Sequence, residues 1–173
     1  MTRVCLVGDA DVELRYELLS RETSREALQN YDLRAPYRNT IGLETVSLGA
    51  AISLLNDLNW YLVRFVDEAL VREPSVSEDE WLSRDLAAEI RNEAVSPAET
   101  GRLLKVYGVE RPDSPDAEAG ANEDRDGAEA AGLPRLVEPM LVTRTGDEIP
   151  TYDIRDVDDT LVVRVTEAEF EDR

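Results

Sequence analysis

The spacing of hydrophobic positions changes several times along the chain, and each change marks an expected element. Arg3 to Val7 is a short run, apolar from Val4 onward, that ends at Gly8-Asp9; this suits a buried strand. From Asp11 to Tyr31 the pattern is helical, carried by Val12, Leu14, Leu18, Leu19, Ala27 and Leu28, with polar Ser20 to Ser24 as the natural interruption. Asp32 to Glu44, with Pro36 and Gly42, reads as a loop. Between Ser47 and Leu58, the residues Leu48, Ile52 and Leu55 return to helical spacing. Asn56-Asp57-Leu58-Asn59 then looks like a stop. Trp60 to Val66 is aromatic and β-branched, which favours a strand, a turn at Asp67-Glu68 and a second strand from Ala69 to Glu73. The alternative is one long helix continuing through Leu62, Val66 and Ala69. It would make this domain largely α, with a small two-stranded parallel sheet.

Downstream signals are sharper. Ser77-Glu78-Asp79-Glu80 has capping-box spacing, and Trp81, Leu82, Leu86 and Ile90 follow as one apolar stripe. Ser96-Pro97-Ala98-Glu99 places proline at a first helical position and starts a short turn that Gly101 stops. Leu103 to Val109 closes the unit as a strand. The succession predicts an α+β fold, with a ferredoxin-like mixed sheet and helices on one face. Residues 110–132 contain no Leu, Ile, Val, Met or aromatic side chain, so they read as a disordered acidic linker after a core domain at 1–109. Beyond it, residues 133–173 form a β-rich segment: Met140 to Thr145, Ile149 to Ile154 and Leu161 to Thr166 are β-type runs, with a turn at Thr145 to Glu148. A C-terminal β-meander this small needs support, so it is expected to dock on the first domain or pair across a homodimer.

The run Asn56 to Pro74, together with Glu80-Trp81-Leu82-Ser83-Arg84, resembles an uncharacterised family of haloarchaeal proteins, a domain of unknown function. The resemblance covers most of the first domain. It implies a halophilic archaeal source and carries no activity, cofactor or catalytic residue.

Charge strengthens that picture. The chain has 38 acidic and 19 basic residues in 173, a formal net charge of −19. A small soluble domain needs a magnitude of only about 2–8. Such an excess repels itself in dilute buffer and is screened in molar salt. Lys105 is the one lysine among the basic residues. The acidity therefore speaks of a salt-rich cytoplasm more than of a ligand. No Lys/Arg stripe suggests nucleic acid. The apolar window Leu48 to Val66 holds Asn56, Asp57, Asn59 and Arg64, which argues against a membrane span, and the N-terminus lacks the pattern of a signal peptide.

The chain has no histidine, which removes imidazole metal sites and histidine-activated nucleophiles. Cys5, the lone cysteine, lies in an apolar strand and reads as an inert core residue. Lys105 invites a Schiff-base role, but its strand can simply turn it to solvent. The best candidate for chemistry is Gly8-Asp9-Ala10-Asp11, where two carboxylates at a strand's C-terminal end could share Mg²⁺. The pattern resembles the first motif of haloacid-dehalogenase-type phosphatases. It departs in the glycine before Asp9 and in Val12-Glu13, where that motif continues with threonine. The plainer role for Asp9 or Asp11 is to cap the first helix. Asp153, Asp156, Asp158 and Asp159 do not make a calcium loop, because Leu161 stands where the loop requires glycine. No phosphate-binding glycine loop occurs.

Two functions follow. The first is a non-catalytic interaction or regulatory module of a halophilic cytoplasm, with a protein partner or second copy at the C-terminal β segment. The alternative is a Mg²⁺-dependent phosphohydrolase-type enzyme using Asp9 and Asp11.

Overall fold

A computed structural model describes residues 1–111 and 132–171, so the expected acidic linker falls almost entirely outside the described residues. The strands are β1 (Thr2–Gly8), β2 (Thr40–Thr45), β3 (Val66–Arg72), β4 (Trp81–Ser83), β5 (Leu103–Glu110), β6 (Arg135–Thr143) and β7 (Asp159–Arg164). They form one sheet in the order β2-β1-β3-β4-β7-β5-β6. β4 and β7 run parallel, and the other neighbours are antiparallel. Helices α1 (Leu14–Leu19), α2 (Glu22–Leu28), α3 (Leu48–Asp57), α4 (Asn59–Phe65) and α5 (Arg84–Arg91) precede the short C-terminal α6 (Glu167–Glu171).

Side-chain alternation sorts the strands into two faces. Val4, Leu6, Ile41, Leu43, Ala69, Val71 and Leu82 point to one side, where Leu14, Leu18, Leu28, Leu54, Leu55, Leu62 and Leu86 from α1–α5 cover them. Cys5, Leu70, Trp81, Tyr107, Val109, Leu161 and Val163 form a second cluster on the opposite face, with Tyr37 and Phe170 against it. The mixed α+β sheet is what the sequence pattern predicts; α1–α5 layer on one face, while Phe170 of α6 packs on the other.

The ferredoxin-like detail is not reproduced, and three local expectations are corrected. Residues read as loop contain β2, whose Thr40-Ile41-Gly42-Leu43 pattern is masked by Pro36 and Gly42. The expected hairpin over Trp60–Glu73 is a helix followed by a single strand. Asn56–Asn59 does mark a break, but between α3 and α4, and Arg84 fastens it by donating to Asn59 Oδ1 at 2.8 Å and Asn56 Oδ1 at 3.2 Å. The Ser77 hydroxyl accepts from Glu80 N–H at 3.0 Å without starting a helix, because Trp81–Ser83 pairs with β3 and β7. Ser83 caps α5 instead, accepting from Leu86 N–H at 3.2 Å.

The C-terminal strands enter the same sheet, although not as a meander, since β5 lies between β6 and β7. The expected run Ile149–Ile154 forms no strand. Its Tyr152 is buried and donates its hydroxyl to Glu138 O at 2.6 Å. Gly108 makes room for that ring, as a Cβ there would lie 2.8 Å from it.

The sheet curls strongly. Glu68 on β3 and Lys105 on β5 are separated by β4 and β7, three strand spacings or about 14 Å on a flat sheet. Their charged ends nevertheless meet at 2.7 Å. At the open side, the Arg38 N–H before β2 donates to Pro134 O before β6 at 2.8 Å, bringing the two edge regions together. The second face is thus the inside of a half-barrel.

A cationic cavity on the inner face as the candidate functional site

A cavity of about 410 Å³ opens where β1, β2 and the end of β3 meet the chain segment leading into β2. Its wall carries Arg3, Arg34 and Arg72, together with Tyr37 and Trp81, and Cys5 lies at its floor. Arg3 and Arg72 face each other in the β1–β3 register, and Arg3 also stands opposite Glu44 on β2. Gly42 lets the preceding segment pack closely, because a Cβ there would sit 3.0 Å from Pro36. Arg34 and Gly42 exchange backbone hydrogen bonds of 2.8 and 2.6 Å, which fix that wall. The Thr40 hydroxyl ties down Tyr37, accepting from its N–H at 3.1 Å and donating to its carbonyl at 2.7 Å.

The three arginines differ in their partners. Arg3 pairs with Glu44 at 3.1 Å, and Arg34 pairs with Asp32 at 3.4 Å. Arg72 makes no ion pair among the described residues; its guanidinium carbon lies 5.0 Å from the centre of the Trp81 ring. A stacked guanidinium keeps its N–H edge available for a planar anion. Arg3 and Arg72 also line an adjoining chamber of about 370 Å³ with Met1, Glu44, Pro74 and Glu78.

Asp32 and Glu44, the partners of Arg34 and Arg3, also line the cavity, and two further groups, Cys5 and Tyr37, are held neutral. Burial pushes the Cys5 thiol up to about 12, only partly offset by its hydrogen bond with Thr40. Burial also raises the Tyr37 phenol, helped by Cys5 and Asp159 and opposed by Arg72 and Arg111. Neither group is activated as a nucleophile or base near neutral pH. The cavity can bind and orient an anion through charge, hydrogen bonds and aromatic contact.

Asp9, Asp11 and Lys105, singled out from sequence, lie outside this cavity. Asp9 and Asp11 stand after β1, the first partly buried and the second exposed. Neither side chain caps α1. Asn39 does so from outside, its Oδ1 accepting from Leu14 N–H at 2.9 Å while its Nδ2 donates to Asp9 O and Val12 O. Among the described residues, no group of three or more His, Cys, Asp or Glu side chains that could hold a metal ion is found. Lys105 pairs with Glu68, which also accepts from the Tyr107 hydroxyl at 3.1 Å. Asp153, Asp156 and Asp158 are exposed on the segment entering β7, and Asp159 opens that strand. Sequence reasoning missed the arginine cavity altogether. Arg3 shares its strand face with Cys5, a signal that became readable only once β2 and β3 were placed beside it.

Residues 2–109 match the model of a family of unknown function, DUF5804, and the chain belongs to that family. No curated protein and no solved structure matches it. No helix among the described residues is long and apolar enough to cross a membrane.

Proposed function

We propose that this chain is a non-catalytic binding module that takes a small organic anion, a carboxylate or phosphate ester with a planar or apolar body, into the inner-face cavity. Arg72 carries the reading. In a chain with twice as many acids as bases, this partly buried guanidinium has no carboxylate partner among the described residues and stacks on Trp81. An arginine bound in this way is pre-organised for bidentate recognition, while Tyr37 and Trp81 offer surface to the ligand body. The volume suits a metabolite rather than a polymer. The acidic composition supports a salt-rich haloarchaeal cytoplasm as the setting.

The reading is tested by thermal unfolding with millimolar benzoate, citrate and adenosine monophosphate at constant ionic strength. At least one is expected to raise the Tm of the wild type and leave Arg72→Gln unmoved. No shift with any of them, or equal shifts in both proteins, refutes it.

A second reading, a partner or second copy pairing at the C-terminal β segment, is supported by β6 standing at the edge of the sheet. Light scattering across a concentration series with amide hydrogen exchange tests it: a concentration-dependent dimer in which the β6 amides gain protection supports pairing there, and a monomer throughout excludes self-pairing.

A further inference from the structure

The helix layer carries a feature the cavity does not explain. On α4, Trp60 and Val63 are 50% and 70% exposed, and Arg64 completes an i, i+3, i+4 face. The Arg64 guanidinium carbon sits 3.7 Å from the Trp60 ring centre. Tyr61 and Phe65 contact the Trp60 ring edge-on at 5.0 and 6.4 Å, and Arg21 lies 5.0 Å over Phe65. These distances link Trp60, Arg64 and Arg21 with the half-buried rings of Tyr61 and Phe65, and Val63 stands beside them on the exposed side of α4. The helix Asn59–Phe65 has no acidic residue, although 38 of the 173 residues of the chain are acidic. Arg64 uses one N–H on its own backbone, at Trp60 O, and pairs with no carboxylate among the described residues. Arg21 shares Glu17, at 3.1 Å on the exposed surface.

An exposed tryptophan flanked by arginines has the composition of an interface hot spot. Isolated exposed apolar side chains need no explanation, but a contiguous aromatic patch does. Its charge specifies the occupant: Arg64, which has no carboxylate partner among the described residues, favours a carboxylate beside the Trp60 ring, and Trp60 and Val63 favour an aliphatic side chain between them. We infer that α4 is a docking surface for a partner protein, and that it receives a segment of that protein in which acidic residues flank leucine-like side chains. The patch lies in the helix layer, on the opposite side of the sheet from the arginine cavity, and the inference stands independently of the anion reading.

The test uses the isotopically labelled full chain and two synthetic peptides, one alternating leucine with aspartate and one alternating leucine with lysine. The aspartate peptide is expected to move the Trp60 indole and the α4 amide resonances, and the lysine peptide to leave them in place. Arg64→Gln and Trp60→Ala should each weaken the aspartate peptide at least fivefold. Both replace exposed side chains, and an unchanged amide spectrum outside α4 confirms that each variant is folded. The proposal is overturned if neither peptide moves α4, if both move it equally, or if Arg64→Gln binds as the wild type does. It is also overturned if the free protein dimerises and Trp60→Ala makes it monomeric, because a second copy would then be the occupant.

Discussion

Lys105, the only lysine of the chain, reaches across the concave inner face to Glu68, Nζ to Oε2 at 2.7 Å. Tyr107 donates to the same carboxylate at 3.1 Å. β3 and β5 are joined through this contact as well as through the strands between them. Burial and the carboxylates Glu68 and Asp67 raise the Tyr107 phenol and keep it protonated as the donor. Lys105→Met leaves a largely buried Glu68 with only Tyr107 and should cost about 1–3 kcal/mol. Glu68→Gln should cost a similar amount, and the double variant less than the sum, a non-additivity that denaturant unfolding of the four proteins measures.

A second cross-link fixes the C-terminal segment. Glu80, just before β4, accepts from Arg164 at 2.7 Å and from Arg144 at 2.5 Å. Burial alone would raise the Glu80 carboxyl, but the two arginines outweigh it and hold the group below the ordinary glutamate value of 4.5. A depressed folded value means that the stabilisation is complete above about 4.5 and is lost as pH falls through the folded value. Glu80→Gln should therefore lose on the order of 2 kcal/mol at pH 7 and show a shallower decline in stability between pH 5 and pH 3. Parallel declines in both proteins would remove Glu80 from the account.

Cys5 gives the opposite sign. Its folded value near 12 lies above the unfolded thiol range, so its contribution is complete below about 8.5 and fades as pH rises toward 12. At pH 8 the native thiol should react with iodoacetamide roughly a hundredfold or more slower than free cysteine, and at an ordinary rate in denaturant. Rapid native alkylation would mean that the floor of the cavity is open.

The net charge of −19 predicts salt-dependent stability. Raising KCl from 0.1 to 1 M shortens the Debye length from about 10 to 3 Å and should lift the Tm by about 5–10 °C. Sucrose at matched osmolality serves as the uncharged control, and a flat KCl series would separate the composition from any need for salt.

The parts of the fold that were legible in the sequence were those whose local pattern agreed with their tertiary setting. β1 and β5 are short apolar runs, and Pro97 and Gly101 delimit a single turn, Gly101 with φ +99°. Where the two conflicted, packing decided. Trp60 to Phe65 has strand-like composition, yet Leu58 and Leu62 bury on the core only if the segment is helical. Trp81–Ser83 follows a capping signal, yet it completes the sheet between β3 and β7. The cavity was illegible for another reason. Arg3, Arg34 and Arg72 come from separate segments, and only the register of β1 with its neighbours and the turn of chain before β2 place them together.

The measurement closest to the central claim is a fluorescence titration of the Trp60→Phe protein, in which Trp81 is the remaining tryptophan. The titrant is whichever of benzoate, citrate and adenosine monophosphate stabilises the wild type most. A saturable change in Trp81 emission is expected, weakened at least tenfold by Arg72→Gln. Saturable binding that leaves Trp81 unmoved, or that survives Arg72→Gln unchanged, would contradict it.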